Sequence, residues 1–385
     1  MTTKLRMGMI GGGKGSFIGA VHRIAANMDG LIELSCCALS SNPKTAIESG
    51  KELLLPDDRI YTSYEEMIKK ESELPDDKRM HFVSIVTPNH VHFLPAMMAL
   101  NHGFHVVIDK PITFSLEEAI QLKQKVDETG LLLCLTHTYT GYPMVKQARK
   151  MVADGTFGNI RKVFVEYPQG WLSQLSEREG NVQAAWRTDP TKSGKAGAMG
   201  DIGTHAANLA EYISGQHISK ICADINIVVA NRMLDDDGAV LLKFDGGASG
   251  VLVSTQVAAG EENALTIKVY GEKGGLEWHQ MEPNTLLVKW YDQPTQIYRA
   301  GNGYLDEVAK RNCRTPGGHP EGYLEAFANI YRNFAFALDA MLSGKELILN
   351  EFDFPTVNDG LRGMTFIQNV IASGKSDQKW IENHI

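Results

Sequence analysis

The sequence contains no apolar run long enough to cross a membrane and no cluster of Lys and Arg. A membrane-spanning helix needs about 18 or more consecutive apolar residues. The formal charge of −8, from 38 basic and 46 acidic residues, does not favour binding to nucleic acid. Residues 1–13 also lack the apolar core and the small-residue cleavage site of a secretory signal. These absences predict a soluble cytoplasmic protein that binds neither a membrane nor nucleic acid.

Cysteine is scarce: the chain has five cysteines, an odd number, and none of them forms a Cys-x-x-Cys pair. The adjacent cysteines at positions 36 and 37 lie in an apolar run typical of a strand, which predicts buried, reduced thiols. Two closely spaced histidine pairs, His90 with His92 and His102 with His105, lack a carboxylate or thiol that would complete a ligand set. We therefore expect no metal site. The motifs of serine hydrolases and of Walker-type phosphate loops are also missing.

What the sequence does contain is a regular alternation of apolar runs and helical segments over its first third. Runs typical of strands lie at residues 5–10, 32–39, 81–86, 105–108 and 131–135. Segments with helical spacing lie between them, and Ser115 followed by Glu118 is typical of a capped helix start. Alternating strands and helices predict a doubly wound parallel sheet. We therefore predict an α/β Rossmann domain that binds a dinucleotide over residues 1–135.

Beyond residue 136 the pattern changes to that of an α+β domain. A helical segment at 142–154 precedes strand-like runs at 160–167, 221–229, 239–244, 248–257 and 265–270, and helical spacing returns at 322–342 and 357–372. Glycine-containing turns join neighbouring runs, which indicates a large, mostly antiparallel open sheet. We assign residues 136–385 to one domain for substrate binding and oligomerisation. Its open sheet face predicts packing against another subunit, and hence a homo-oligomer, either a dimer or a tetramer.

Five glycines lie at the first strand-to-helix junction, at positions 11, 12, 13, 15 and 19. Glycines here permit a tight turn and bring main-chain N–H groups close to a pyrophosphate at a helix N-terminus. The usual Gly-x-Gly-x-x-Gly spacing is not met, because Ser16 stands three positions after Gly13. A loop lengthened by about three residues would make Gly19 the third glycine. Such a turn can be purely structural, but its place in the alternating pattern favours the binding of a dinucleotide.

The second predicted strand ends without the carboxylate with which NAD enzymes often hold the adenosine ribose. Ser40, Ser41 and Lys44 occupy this place and could accommodate a 2′-phosphate, although an ordinary polar turn would look the same. NAD and NADP therefore both stay open as the cofactor.

Three further segments make the chain resemble the glucose–fructose oxidoreductase and inositol dehydrogenase family (Gfo/Idh/MocA). Residues 87–92, Thr-Pro-Asn-His-Val-His, are similar to its Thr-Pro-Asn-x-x-His. Residues 103–111 are similar to its Gly-Lys-His-Val-x-x-Glu-Lys-Pro, with Asp109 in place of the usual Glu. Trp186 and Arg187 precede residues 200–205, which are similar to its Asp-x-Gly-x-His helix start. The resemblance covers most of the chain and implies a nicotinamide-dependent oxidoreductase that forms oligomers.

Oxidation of a secondary alcohol requires a hydride acceptor, which the cofactor supplies, and removal of a proton by the protein. His205 is the best candidate base, because histidine ordinarily titrates near neutral pH. Asp201, four residues earlier, shares a face with it if the segment is helical. Lys110 would stabilise negative charge on the substrate oxygen. The resemblance implies catalytic roles at the same three positions.

Each of these three residues, taken alone, has a structural alternative. Lys110 could form an ion pair with Asp109, and Asp201 could be an acid at a helix start. His205 could be a hydrogen-bonded core histidine. Their occurrence together behind a nucleotide loop favours catalysis.

The predicted binding residues lie in the glycine loop, at the end of the second strand, in the family-like segments and in aromatic or polar stretches of the second half. For the cofactor they are Gly11, Gly13, Gly15, Ser16, Phe17, Ile18, Ser40, Ser41, Lys44, Thr87, Pro88, Asn89, His92, Asp109, Lys110, Trp186 and Arg187. For the substrate they are Lys110, Tyr139, Gln169, Trp171, Arg187, Asp201, His205 and His319. Aromatic faces suit the C–H face of a sugar ring.

The sequence thus predicts a NAD(P)-dependent dehydrogenase that acts on a ring secondary hydroxyl of a neutral sugar or glycoside. Carbon 3 of a glucoside is one candidate position, by analogy with related glycoside dehydrogenases. A charged substrate would need an Arg cluster or a bidentate clamp, and the sequence shows none. Three alternatives stay open: an inositol dehydrogenase, an enzyme that cleaves a glycosidic bond through transient oxidation, and a non-catalytic regulator that senses nucleotides.

Overall fold

The computed structural model describes residues 3–345 and 352–384, and the chain divides into two compact units. The first unit comprises Met1–Thr138 together with Tyr323–Leu361, and the second comprises Tyr139–Gly322 together with Arg362–Ile385. The predicted boundary after residue 135 lies close to Thr138, where the chain first passes from the first unit to the second. The prediction that all of residues 136–385 form one domain differs from the structure, because residues 323–361 belong to the first unit.

The first unit contains a five-stranded parallel sheet with the strand order β2-β1-β3-β4-β5. Its strands are β1 (Leu5–Gly11), β2 (Ile32–Ala38), β3 (Phe82–Val86), β4 (His105–Ile108) and β5 (Leu133–Leu135). The connecting helices are α1 (Phe17–Asn27), α2 (Pro43–Glu52), α3 (Tyr64–Ser72), α4 (Phe93–Asn101) and α5 (Leu116–Thr129). Every residue of β3 and β4 is buried, as expected for strands covered on both faces. The predicted Rossmann sheet is confirmed.

Local chemistry explains where α5 begins and ends. The Ser115 side chain accepts a hydrogen bond from Glu118 N, and the Glu118 side chain accepts one from Ser115 N, so the predicted capping box is confirmed. The helix ends at Gly130, whose φ of 65° is a left-handed conformation that glycine adopts without a steric penalty.

A helix from late in the chain, α11 (Tyr323–Leu342), packs against α1 in the first unit. Its residues Phe327, Tyr331 and Phe334 are at most 1% exposed and belong to the same apolar cluster as β1 and β3. Phe334 contacts Phe82 edge to face, with ring centroids 5.0 Å apart. Burying one such side chain contributes about 1.5–3 kcal/mol. The Rossmann sheet therefore completes its core with a helix that sequence order would assign to the second domain.

The second unit is built on a nine-stranded sheet with the order β13-β12-β11-β10-β6-β9-β8-β7-β14. Its strands are β6 (Ile160–Pro168), β7 (Ile218–Asn226), β8 (Asp237–Phe244), β9 (Ser249–Thr255), β10 (Thr266–Gly271), β11 (Gly274–His279), β12 (Thr285–Trp290), β13 (Gln296–Arg299) and β14 (Trp380–Glu382). Neighbouring strands are antiparallel except for β6 with β9. The predicted mostly antiparallel sheet is confirmed; its predicted strands correspond to β6 through β10, and the other four were not predicted.

Six α-helices of the described residues lie wholly or partly in the second unit. They are α6 (Pro143–Ala153), α7 (Val182–Arg187), α8 (Pro190–Ser193), α9 (Thr204–Ser214), α10 (Glu307–Arg311) and α12 (Val357–Lys375), the last entering the second unit at residue 362. The two helices α6 and α9 pack against each other and against the strands. Buried residues alternate with exposed ones along β8 and with half-buried ones along β9, so one face carries the core and the other faces outward. Within residues 3–345 and 352–384, no helix is long and apolar enough to cross a membrane.

Candidate active site

The glycine loop between β1 and α1 has the geometry of a nucleotide-binding turn. Gly11, Gly12 and Gly15 have φ values of 76°, 70° and 81°, which other residues rarely adopt. A Cβ on Gly12 would lie 2.9 Å from Gly19 Cα, and a Cβ on Gly19 would lie 2.1 Å from Gly12 O. Such close contact between strand end and helix is the role expected of the third glycine. Gly15 instead borders open space, so its main chain is accessible to a ligand.

Ser16 begins α1 as its N-cap, and its side chain accepts a hydrogen bond from Gly19 N at 3.2 Å. Its neighbour Phe17 is exposed. The first turn of α1 contains no acidic residue. The positive end of the helix dipole points towards the glycine loop, and no carboxylate in the first turn offsets it. This favours an anionic pyrophosphate there.

The end of β2 presents hydroxyl and amide groups where an adenosine ribose is usually held. Ser40 Oγ accepts a hydrogen bond from Asn42 N at 3.1 Å, and Asn42 caps α2 by accepting one from Thr45 N at 3.1 Å. Ser41 and Lys44 are exposed, and the first turn of α2 contains no carboxylate. The glycine loop and this polar turn fit NAD or NADP, whose nicotinamide ring would accept or donate the hydride.

His92 holds together the segments that follow β3 and β4. Its Nδ1 lies 2.8 Å from Pro111 O, its Nε2 lies 2.9 Å from Thr87 O, and the side chain is fully buried. Burial lowers the pKa of His92, although Asp109 and the two carbonyls oppose that shift. Because both ring nitrogens face main-chain carbonyls, His92 shapes the loop around Thr87 and the buried Asn89 rather than offering a nitrogen to a ligand.

Asp109 and Lys110 follow directly after β4. Asp109 Oδ1 accepts hydrogen bonds from Lys110 N and from Thr136 Oγ1, each at 2.8 Å. The carboxylate predicted to contact the cofactor thus fixes the main chain at Lys110. The neighbouring His137 is buried, and burial together with the charge of Lys110 lowers the pKa of His137 to about 3.

In the second unit, Asp201 lies in a π-helical turn, Met199–Gly203, that leads directly into α9. Such turns occur often at functional sites, and no feature of the sequence indicated this one. The carboxylate of Asp235 holds the start of the turn by accepting hydrogen bonds from Gly197 N at 2.7 Å and Met199 N at 2.8 Å. Burial raises the pKa of Asp235, and the two N–H groups oppose that shift.

Two donors from other elements hold the carboxylate of Asp201. Arg187 Nε lies 3.2 Å and Gln256 Nε2 lies 2.9 Å from the same oxygen, Oδ2. The guanidinium of Arg187 also stacks on Trp186, 4.3 Å from the ring centroid. Gln256 Nε2 lies 3.3 Å from Gln169 Oε1. Arg187, predicted to bind both cofactor and substrate, is therefore engaged in an ion pair with Asp201.

Gln169 extends this network towards the surface. Its Oε1 accepts a hydrogen bond from Trp171 Nε1 at 2.9 Å, and its Nε2 donates one to Asn263 Oδ1 at 2.7 Å. The indole of Trp171 is 36% exposed. Four residues predicted from the sequence thus lie in one polar network, which we call the Asp201 network: Gln169, Trp171, Arg187 and Asp201, with Gln256 and Asn263 added by the structure.

His205 is buried near the start of α9, beside two tyrosines. Its ring packs edge to face against Tyr139, with centroids 4.8 Å apart, and lies 6.4 Å from the ring of Tyr167. The two phenols are hydrogen-bonded to each other. Asn263 accepts from Tyr167 at 2.6 Å and donates to Tyr139 at 3.2 Å. The candidate base therefore adjoins the Asp201 network through a buried tyrosine pair.

His319 is a predicted substrate residue that the structure places on an exposed loop, with no hydrogen bond among the described residues to the Asp201 network. It is exposed, and its Nδ1 lies 3.2 Å from Pro316 O within its own loop. As for metals, the described part of the chain contains no group of three His, Cys, Asp or Glu residues that could hold an ion.

Comparison with known protein families defines the class of protein that this fold and site represent. The model of an oxidoreductase family with an NAD-binding Rossmann fold matches residues 5–138. The model of the GFO/IDH/MocA C-terminal domain matches residues 145–277. The chain belongs to the Gfo/Idh/MocA family of oxidoreductases.

Individual relatives extend over nearly the whole chain. The chain is 31% identical over 381 residues to the uncharacterized oxidoreductase YfiI of Bacillus subtilis, covering 98% of this chain and 96% of that protein. It is 26% identical over 341 residues to a levoglucosan dehydrogenase of Pseudarthrobacter phenanthrenivorans, covering 83% and 82%. The structure is similar, with a TM-score of 0.92 and 32% identity, to an inositol dehydrogenase homolog from Azotobacter vinelandii complexed with NADH and myo-inositol, covering 99% and 98%. The protein is a NAD(P)-dependent oxidoreductase that acts on CH–OH groups.

Proposed function

We propose that this oxidoreductase acts on a ring secondary hydroxyl of a neutral sugar, glycoside or inositol. The observation that carries this substrate class is the pairing of the two arginines that line the cavity beside Asp201. Arg187 forms an ion pair with Asp201, and the buried Arg232 forms ion pairs with Glu177 and Asp236, each at 3.1 Å. A phosphate or carboxylate substrate is usually gripped by an available arginine clamp. Because these cations already have carboxylate partners, a neutral ring fits better than a charged metabolite.

The proton is the part of the reaction that the protein must manage. His205 is proposed to take the proton of the reacting hydroxyl, and its contact with Tyr139 fixes the orientation of the ring. Asp201, held by Arg187 and Gln256, is proposed to accept a hydrogen bond from a ring hydroxyl. Lys110 is proposed to stabilise the negative charge that develops on the substrate oxygen.

The rest of the Asp201 network suits a polyhydroxylated ring. The partly exposed indole of Trp171 offers an apolar face for ring C–H groups, and its N–H is already satisfied by Gln169. Amide groups such as those of Gln169 and Gln256 can both donate to and accept from hydroxyls. Two relatives, a levoglucosan dehydrogenase and an inositol dehydrogenase homolog with bound myo-inositol, support the same class.

A substrate comparison that adds a single phosphate group tests this proposal. We expect cofactor reduction with levoglucosan, myo-inositol, glucose or a methyl glucoside, and a kcat/KM for glucose at least about tenfold higher than for glucose 6-phosphate, which adds only the phosphate. NMR of the product would locate the new carbonyl. Efficient oxidation of sugar phosphates or 2-hydroxy acids without activity on neutral rings would contradict the substrate class. Release of a free sugar without net cofactor reduction would indicate glycosidic cleavage, and cofactor binding without any turnover would indicate a regulator.

A further inference from the structure

A chain of buried polar groups lies beneath Asp109 in the first unit. His22 on α1 is fully buried, and its Nδ1 lies 2.7 Å from the hydroxyl of Tyr331 on α11. The same hydroxyl lies 2.7 Å from Ser84 Oγ on β3. The other ring nitrogen of His22, Nε2, lies 4.0 Å from Asp109 Oδ2. Within the described part of the chain, this buried Nε2 has no hydrogen-bond partner.

The environment determines where the protons of this chain lie. Burial lowers the pKa of His22 to about 4, so its ring is neutral at working pH and carries one proton. Burial also raises the pKa of Tyr331 far above its usual range, so its phenol stays protonated. If Ser84 donates to Tyr331 and Tyr331 donates to Nδ1, every acceptor is satisfied and the ring proton of His22 lies on Nε2, facing Asp109.

Asp109 connects this chain to the candidate site. Its Oδ1 already accepts hydrogen bonds from Lys110 N and Thr136 Oγ1, whereas its Oδ2 faces His22. A separation of 4.0 Å is longer than a hydrogen bond, so a donation from His22 requires Nε2 and Oδ2 to approach each other. The other histidines near this carboxylate, His92 and His137, also have pKa values lowered by burial. The histidine rings near the Asp109 carboxylate are therefore neutral. Among them, His22 places Nε2, which has no hydrogen-bond partner within the described residues, towards Oδ2.

We propose that His22, held in a single tautomer by Tyr331, is a positioning residue that donates to Asp109 and thereby fixes the main chain at Lys110. The inference rests on the proposed role of Lys110 at the substrate oxygen. It assigns a function to α11: the late helix completes the core and also carries the hydroxyl that sets the tautomer of a histidine beneath the site. Partners of this kind orient functional groups, and their loss typically costs about 10–100-fold in activity.

Two substitutions of His22 separate positioning from packing. His22→Gln can place an amide N–H near the position of Nε2, whereas His22→Asn reaches only the position of Nδ1. We expect His22→Asn to lower kcat about tenfold or more at nearly unchanged KM and cofactor affinity, and His22→Gln to restore most of the rate. The matched control is His105→Asn, which removes a buried histidine whose Nδ1 accepts from Leu132 N at the other end of β4. This control should lower the melting temperature without lowering kcat.

A spectroscopic measurement tests the tautomer independently of turnover. In ¹⁵N-histidine-labelled protein, we expect the resonances of His22 to show a neutral ring protonated at Nε2, and Tyr331→Phe to yield a mixture of tautomers. A ring protonated at Nδ1 in the wild type would overturn the proposal. Equal kcat in His22→Asn and the wild type, or equal losses in the Gln and Asn variants, would overturn it as well. A wild type with no activity on neutral rings would contradict the proposed function. The measured tautomer of His22 would still show whether Tyr331 holds that ring as proposed.

Discussion

Lys110 and His205 are the two side chains whose removal tests the proposed chemistry most directly. We expect Lys110→Ala and His205→Ala each to lower kcat by about 10²-fold or more, because Lys110 is proposed to stabilise charge on the reacting oxygen and His205 to take its proton. The double variant should lose less than the product of the two single losses, since both residues act on one hydroxyl. Steady-state kinetics with the best neutral substrate would measure these effects.

The control for this pair is Lys70→Ala, which removes an exposed lysine paired with Glu66 on the surface of α3. It should leave kcat and the melting temperature nearly unchanged, because exposed ion pairs contribute little. Near-normal turnover in both single variants at the site would remove Lys110 and His205 from the mechanism.

The residues proposed to carry the chemistry could be named from the sequence, whereas the partners that hold them could not. Asp201 and His205 are recognisable by residue type and spacing. Gln256 is 55 positions away from Asp201, which it holds. Asn263 is 124 positions away from Tyr139, to which it donates a hydrogen bond. Amide side chains occur throughout any sequence, and only the fold shows which of them face a carboxylate or a phenol.

At the scale of secondary-structure elements, the π-helical turn before α9 is the least predictable part of the site. Asp235 accepts hydrogen bonds from Gly197 N and Met199 N, and a Cβ on Gly197 would lie 2.0 Å from Asp235 O. Neither the close approach of Gly197 to Asp235 nor the hydrogen bonds that Asp235 accepts leave a local pattern in the sequence. The main chain that leads to Asp201 is therefore held by the side chain and main chain of Asp235, which lies in the loop before β8.

We expect Asp235→Asn to destabilise the protein by about 1–3 kcal/mol. The two carboxylate oxygens of Asp235 each accept from one N–H group, whereas the amide of Asn has only one oxygen that can accept. We also expect a lower kcat/KM, since the turn that carries Asp201 loses part of its support. Thermal unfolding and steady-state kinetics would measure the two effects. The control is Asp306→Ala, which removes the acceptor that caps α10 at Val308 N and should reduce stability with little effect on kcat/KM. A destabilised Asp235 variant with wild-type kcat/KM would show that the Asp235 carboxylate supports only the fold.

The strands were predictable where apolar and polar residues alternate, and β11 was missed because it begins with two glycines. Gly274 and Gly275 resemble a turn in sequence, yet they begin β11. A Cβ on Gly274 would lie 2.3 Å from Lys289 O, and a Cβ on Gly275 would lie 2.6 Å from Val269 O. Glycine is used here because neighbouring strands approach closely on both sides. Likewise, helical spacing predicted α11, but an apolar helix face does not indicate which of two sheets it covers.

At the scale of the whole molecule, the outward face of the nine-stranded sheet carries an apolar stripe. Phe164 on β6 pairs in register with Val251 on β9, which pairs in register with Leu241 on β8. Phe164 and Leu241 are 42% and 48% exposed. Contiguous exposed apolar side chains of this kind mark interaction surfaces, and a second copy of the same face would bury them symmetrically.

We therefore expect the protein to be a dimer or a tetramer at micromolar concentration, and Val251→Lys to lower its mass in solution. The substitution places a charge in the centre of the stripe, where burial against a second subunit would leave it unpaired. Light scattering coupled to gel filtration would measure the mass of both proteins. Ile120→Lys is the matched control, because Ile120 is 50% exposed on α5 of the first unit and lies outside this sheet. A monomeric wild type, or a Val251→Lys variant that keeps its mass, would show that the outward face does not join subunits.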